Sequence, residues 1–194
     1  MLSKIILASK SEVRKQILLK HGISCNVEPS NVDEEPVKQS LIKEGATPEI
    51  ISKNLAELKA NKVSLKKKDE IVLGADSVID LEGKIISKPE NREEALEILK
   101  KLNGKHHFLI SSVCLSKNGR MIWHYSDKAK LTMKNFKISE LKDYLEKVTD
   151  KALYAYNVYQ IEGVGKDLFL KIEGNENTIM GLPIEKIKEY LKNL

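Results

Sequence analysis

Residues 71–80, Ile71-Val72-Leu73-Gly74-Ala75-Asp76-Ser77-Val78-Ile79-Asp80, constrain the fold of this chain more than any other stretch. Three apolar residues run into Gly-Ala-Asp, and a second apolar pair follows. The first run is short, β-branched and closed by a glycine, which predicts a buried strand. Asp76 falls where that strand ends. A carboxylate in such a place is costly unless a cation, a hydrogen-bonding partner or a substrate uses its charge. Residues able to use that charge are therefore the first candidates for a site.

The segments before this strand supply several. Residues 4–8 read as a strand and Ser9-Lys10-Ser11 as a polar loop. A helix follows with Val13, Ile17 and Leu18 at helical spacing, closed by His21-Gly22. A strand–loop–helix junction presents free N–H groups and a positive dipole end to an anion. Arg14, in the first turn, adds a planar donor fork suited to phosphate. The bland alternative is an ordinary N-cap. Residues 23–28 form a second strand, and residues 29–36 an acidic loop bounded by prolines, with Asp33, Glu34 and Glu35. Those acids suit either solvent or a hard cation such as Mg²⁺. Thr47-Pro48 starts a helix whose apolar face carries Ile50, Ile51, Leu55, Leu58 and Val63. Lys59, taken alone, reads as a lysine on the rim of that face.

After Asp76, Leu81-Glu82-Gly83-Lys84 predicts a hairpin turn into Ile85-Ile86. Lys88 precedes Pro89, which holds it extended. Asn91 caps a helix bearing Ala95, Leu96, Ile98, Leu99 and Leu102, and Asn103-Gly104 closes it. Residues 106–116 form a strand, turned by Lys117-Asn118-Gly119-Arg120 into a partner running to about Met133. His106 and His107 are adjacent and so face opposite ways on a strand, which argues against a shared metal site. An amphipathic helix over 138–148 follows. Tyr154, Tyr156 and Tyr159 read as packing or rim aromatics. Gly163 and Gly165 allow close backbone approach. Residues 168–172 form a strand, 175–181 a polar loop, and a closing helix ends at Leu194. Strands alternate with helices early and antiparallel hairpins come later. The expected class is therefore α/β, with a mixed, partly antiparallel sheet flanked by helices.

Composition excludes several classes. The hydrophobic content of 41% and charged content of 31% describe an ordinary globular protein, large enough for a core and a site within one domain. The net charge of +5 comes mostly from lysines scattered on helices, which act as solvated faces. A nucleic-acid module would need a basic stripe interleaved with aromatics, and aromatic residues make up only 5%. Cys25 and Cys114 lie in separate strands without CxxC or zinc spacing, and read as reduced core thiols of a cytoplasmic protein. The run Ile5-Ile6-Leu7-Ala8 is too short for a signal-peptide core, and no apolar run nears the ~20 residues that span a bilayer.

These features converge on an anion site. Ser9 and Arg14 sit at one junction, Lys59 and Lys88 on segments flanking the Asp76 strand, and Glu34 and Asp76 could share a divalent metal. Cations for a polyphosphate plus carboxylates for Mg²⁺ and water activation are what phosphoanhydride hydrolysis requires.

The chain resembles the Maf proteins, a family of nucleoside triphosphate pyrophosphatases. The resemblance runs through Leu7-Ala8-Ser9-Lys10-Ser11 with Arg14, Val32-Asp33-Glu34, Leu55-Ala56 with Lys59-Ala60, and Gly74-Ala75-Asp76-Ser77. It continues in Lys88-Pro89, Leu102-Asn103-Gly104-Lys105-His106, Glu162-Gly163-Val164-Gly165 and Gly181-Leu182-Pro183. It implies a single Maf-like domain over 1–194, an ITPase-like mixed sheet in two lobes around a central cleft, and cleavage between the α and β phosphates. It also implies a divalent metal (Mg or Mn), a cytoplasmic location and a homodimer, with neither nucleic acid nor membrane as partner. Asp76 falls on the family's proton acceptor, Ser9, Arg14, Lys59 and Lys88 on its phosphate contacts, and Glu34 with Asp76 on its metal-linked acids.

The first loop departs from the family. Many members read Ser-Pro-Arg-Arg or Ser-Pro-Trp-Arg there, whereas Ser11 here is followed by Glu12-Val13-Arg14. The three specificity positions fall on Val13, Ser77 and Glu162. Members acting on dTTP and UTP have Arg, Thr and Gln there, and members acting on 7-methyl-GTP have Trp, Gln and Glu. Only Glu162 agrees with the second set. An ionised Glu162 accepts but cannot donate hydrogen bonds, so an amino group on a purine or cytosine suits it better than a uracil carbonyl. The alternative function is a nucleotide-binding regulatory protein that has lost catalysis, which the altered first loop leaves open.

Overall fold

The computed structural model describes residues 4–150, 152–153 and 157–194. Tyr154 and Tyr156 lie outside the described residues. Among the described residues, seven strands hydrogen-bond in the order β2-β1-β3-β5-β6-β7, with β4 paired to β3, and helices flank the sheet. The chain divides into two compact units: residues 1–78, 110–128 and 175–194, and residues 79–109 and 129–174.

The first unit begins with β1 (Ile5–Leu7), α1 (Glu12–Lys20), β2 (Cys25–Val27), α2 (Glu34–Lys43), α3 (Pro48–Ser64) and the start of β3 (Val72–Leu81). β1 lies between β2 and β3, parallel to both, with Ile5 opposite Cys25 and Leu7 opposite Leu73. Strand alternation then sorts the side chains. Ile5, Leu7, Leu73 and Ala75 pack with Ile17 and Leu18 of α1 and Ile184, Ile187 and Leu191 of the closing helix. Ile6, Ala8 and Val72 pack with Val63 of α3 on the other side. Ser11 caps α1 by accepting from the Arg14 N–H, and Thr47 caps α3 by accepting from Ile50.

Three expectations change here. The strand expected to close at Gly74 and end at Asp76 runs on unbroken through both as β3, so Asp76 lies in the middle of the strand, its backbone kept in the ladder while its side chain turns to one face. The acidic stretch 29–36 is not wholly loop, because α2 begins at Glu34. Pro36 is tolerated since its missing N–H would be unpaired in the first turn anyway, and Glu34 and Glu35 favour the positive helix end. The buried face of α3 is also rotated from the expected one. It carries Ile51, Ser52, Leu55, Ala56, Lys59, Ala60 and Val63, while Ile50 is exposed. Small residues face inward because the helix closes on a glycine: a Cβ on Gly74 of β3 would run into the carbonyl oxygen of Ala56 and lie 2.8 Å from the Ala60 nitrogen.

The second unit holds the end of β3, β4 (Lys84–Ile86), α4 (Arg92–Leu102), the first part of β5 (His106–Lys117), the end of β6 (Arg120–Met133), α5 (Ile138–Lys147) and β7 (Phe169–Glu173). The β3–β4 hairpin pairs Ile79 with Ile86, and β6 pairs antiparallel with β7. His106 is exposed and His107 is 1% exposed, as adjacent strand positions require. His107 Nε2 lies 2.8 Å from the Tyr159 hydroxyl, and Tyr159 packs edge-on to Phe169. Burial pulls the His107 pKa down to about 4, so the ring is neutral near pH 7. Gly165 does allow a close approach, since a Cβ there would lie 2.6 Å from the Gln160 carbonyl oxygen.

The chain returns to the first unit for α6 (Glu176–Ile179) and α7 (Ile184–Lys192). α6 is a short helix inside the expected polar loop, started by Asn175 accepting from the Asn177 N–H. Both cysteines are free thiols, and burial raises the Cys114 pKa to about 11, which leaves it unreactive.

Candidate active site

β3 distributes the site residues by alternation. Val72, Gly74 and Asp76 share one face, and Leu73, Ala75 and Ser77 share the other. Asp76 therefore turns toward α3 while Ser77 turns toward Arg14 of α1. Lys59 Nζ donates to Asp76 Oδ1 at 2.7 Å and stands 3.0 Å from Glu34 Oε1. Both Lys59 and Asp76 are buried, whereas the Glu34 side chain is 45% exposed at the start of α2. Lys59 is thus not a rim residue. It occupies the inward stripe of α3 one turn from Leu55 and Ala56, and it has two carboxylates as partners. Ser52, one turn further back, donates to the Asp76 carbonyl oxygen at 3.2 Å and fixes the strand against the same helix.

The opposing contributions at Asp76 can be ranked. Burial raises its pKa above the ordinary value of 3.8 and is the largest effect. Lys59 and, more weakly, Arg14 lower it, while Glu34 raises it. The net direction is upward, so the buried carboxyl is a stronger base than an exposed aspartate.

Arg14 is largely engaged with the chain itself. Nε donates to the Gly181 carbonyl at 3.0 Å, Nη1 to the Ala75 carbonyl at 2.9 Å and to Ser9 Oγ at 3.3 Å, and Nη2 to Ser77 Oγ at 3.1 Å. A guanidinium has five N–H donors, so most of the fork is used in joining the β1–α1 loop to the middle of β3. Burial lowers the Arg14 pKa, and Asp76 and Glu34 oppose that shift.

Ser77 continues the network. Its hydroxyl lies 2.8 Å from Ser111 Oγ, which donates to the Thr178 carbonyl at 2.8 Å, and Thr178 Oγ1 donates to Asp127 Oδ2 at 2.6 Å. Sequence reasoning did not find Ser52, Ser111, Thr178 or Asp127. The available signal was a Ser111-Ser112 pair inside an otherwise apolar strand, where buried hydroxyls need partners.

Ser9, Arg14, Glu34, Lys59, Asp76 and Ser77 are brought together in the first unit. Val13 lies on α1, half-buried, and packs against the core cluster of that unit. Lys88 and Glu162 belong to the second unit, both exposed, one after β4 and the other in a turn before Gly163. Among the described residues no group of three or more His, Cys, Asp or Glu could hold a metal. Glu34 and Asp76 offer two hard carboxylates converging on a common positive charge, Lys59. That donor set fits Mg²⁺ or Mn²⁺, which take much of their coordination shell from water and phosphate.

Comparison with known proteins places the chain in a family. A nucleoside triphosphate pyrophosphatase of Pelagibacter ubique (strain HTCC1062) is 71% identical over 192 residues, covering 99% of this chain and 98% of that protein. A 7-methyl-GTP pyrophosphatase of Brucella abortus is 39% identical over 181 residues, covering 93% and 91%. The Staphylococcus aureus Ham1 protein superposes with a TM-score of 0.50 over 98% of this chain and 99% of its own, at 12% identity, a likeness of fold alone. The family model described as Maf-like protein matches residues 4–194, and the chain belongs to that family.

Proposed function

We propose that this protein is a nucleoside triphosphate pyrophosphatase that hydrolyses the α–β phosphoanhydride to a nucleoside monophosphate and pyrophosphate. The observation that carries the reading is the buried Asp76 carboxyl, raised in basicity and held 2.7 Å from Lys59. Asp76 accepts a proton from water as the water oxygen bonds to the α phosphorus. The bond from that phosphorus to the bridging oxygen breaks, and pyrophosphate leaves with that oxygen. Lys59 offsets charge as it builds on the phosphates, and Lys88 and Ser9 contact the phosphate chain. Arg14 holds Ser9 and the middle of β3 in place and lends positive charge to the site. Glu34 and Asp76 would hold a divalent cation, Mg²⁺ or Mn²⁺, which when bound neutralises phosphate charge and acidifies a coordinated water.

Substrate choice rests on Val13, Ser77 and Glu162. Glu162 accepts a hydrogen bond from an exocyclic amino group of the base, Val13 lines the site without a donor, and Ser77 acts through Arg14. The named activity of the Brucella relative supports a purine or modified purine. The protein works as a single catalytic domain, on free nucleotides in the cytoplasm, as a homodimer, without nucleic-acid or membrane partners. Among the described residues no helix is long and apolar enough to cross a membrane.

A screen of standard and modified nucleoside triphosphates for pyrophosphate release, with Mg²⁺ or Mn²⁺, tests this. Pyrophosphate release that is lost in Asp76→Asn is expected. Orthophosphate as the product, or nucleotide binding without turnover, overturns it, the latter in favour of a regulatory protein. Turnover of UTP equal to or faster than that of guanine nucleotides would sink the role given to Glu162.

A further inference from the structure

Three consecutive residues of the second unit, Asn157, Val158 and Tyr159, are buried, and each is anchored to a different element. The Val158 carbonyl accepts from the Tyr144 hydroxyl of α5 at 3.0 Å, and the Tyr159 hydroxyl pairs with His107 of β5 at 2.8 Å. Asn157 makes the third anchor. Its Oδ1 accepts from the Val158 N–H at 2.9 Å, which leaves Nδ2 facing the carbonyls of Ile86 and Ser87, both at 3.5 Å. The orientation of the amide is therefore set: oxygen to the N–H, nitrogen to two carbonyls. Its backbone has φ +67°, a left-handed conformation that asparagine tolerates better than most residues.

The two segments joined in this way carry the two site residues of the second unit. Ser87 immediately precedes Lys88, and Asn157 stands five residues before Glu162. Between Asn157 and Glu162 the chain is held by Val158 and Tyr159, and beyond it the turn is closed by the Gly163 N–H donating to Gln160 at 3.1 Å. On the β4 side, Lys88 follows two residues after Ile86, which is paired with Ile79. The Asn157 side-chain amide thus links the two segments.

We infer that Asn157 is a positioning residue that couples the phosphate-contacting lysine, Lys88, to the base-contacting carboxylate, Glu162. The inference rests on the roles proposed for those two residues. Asn157 touches neither substrate nor metal. A correctly seated base fixes Glu162 and, through Asn157, the segment that presents Lys88 to the phosphates. Base recognition is then registered in the grip on the triphosphate as well as in the base contact itself.

A double-mutant cycle tests the coupling. Lys88→Met, Glu162→Gln and the double variant are compared by kcat and KM for pyrophosphate release, first with Asn157 intact and then in Asn157→Gly. Glycine keeps the left-handed backbone and removes the amide. With Asn157 present the two changes are expected to be non-additive by about threefold or more in kcat/KM, as for residues in one network. In Asn157→Gly they are expected to become additive, with the loss relative to the parent protein appearing mainly in KM. Additivity with Asn157 present, or unchanged coupling in Asn157→Gly, overturns the inference. If Asn157→Gly does not fold, the same cycle in Asn157→Asp decides, since the carboxylate keeps the shape but faces two carbonyls without a donor. Wild-type kinetics for both Lys88→Met and Glu162→Gln would instead mean that the roles given to those residues are wrong.

Discussion

Lys59 Nζ stands 2.7 Å from Asp76 Oδ1, with both side chains only 9% exposed. The pair joins the middle of α3 to the middle of β3. Glu34, 3.0 Å from the same nitrogen, gives the lysine a second and more exposed partner. One cation between two carboxylates makes the three residues unequal. Removing Asp76 leaves Lys59 paired, whereas removing Lys59 leaves two acids without their cation.

Lys59→Met is therefore expected to destabilise the protein by about 3–5 kcal/mol, the cost of leaving a buried charge without its partner. Urea denaturation measures this. Because Lys59 lowers the Asp76 pKa, its removal should also move the acid limb of the kcat/KM profile to higher pH. An acid limb at its wild-type position would show that Asp76 does not set it.

Asp76→Asn is expected to fold and to lose about 10²–10⁴-fold in turnover, the typical contribution of a general base. Its stability should differ from the parent in a pH-dependent way. The folded state raises the Asp76 pKa, so it binds the proton more tightly than the unfolded chain does. Stability contributed at Asp76 is then fully present below 3.8 and falls as pH rises through the higher folded-state value. Denaturation curves taken at rising pH from the ordinary carboxylate value upward should show a flatter profile in Asp76→Asn.

Gly74→Ala tests the contact between α3 and β3. The added methyl would meet the backbone of Ala56 and Ala60, which cannot turn aside as a flexible side chain could. A loss of about 1–3 kcal/mol is expected from this overpacking, seen as a lower thermal midpoint. Activity should fall as well, because the two elements forced apart carry Lys59 and Asp76.

Arg14→Lys separates charge from geometry. A lysine keeps the positive charge but cannot donate at once to Gly181, Ala75, Ser9 and Ser77. The variant is expected to lose about 1–3 kcal/mol of stability, from buried acceptors left without a donor, and to lose activity with it. Full activity with unchanged stability would mean that the Arg14 network positions nothing.

Several parts of this protein were legible in its sequence. The buried start of the strand at Val72-Leu73, the Ser11 and Thr47 caps, the Asn118-Gly119 hairpin and the opposed histidines follow from local rules of φ, capping and alternation; the strand end expected at Asp76 does not, because β3 continues to Leu81. Those rules operate within a few residues, so they survive without knowledge of the fold. They also marked Asp76 as a carboxylate in need of a partner, and pattern resemblance gathered Ser9, Arg14, Glu34 and Lys59 around it.

Only the tertiary structure decided what those partners are. Periodicity makes Lys59 a rim residue, because it counts Ile50 and Leu58 in the apolar face of α3. The helix is instead rotated to set Ala56 and Ala60 against Gly74, and this carries Lys59 inward onto Asp76. Arg14 looks like a phosphate fork and is mostly occupied by carbonyls from Ala75 and Gly181, distant in sequence. The physical reason is the same in both cases. Burial and pairing depend on which surfaces meet across tens of residues, and a charge buried without a partner costs more than any local preference can offset. The sequence determined that a charge at Asp76 had to be matched; the packing of α3 on β3 determined that Lys59 matches it.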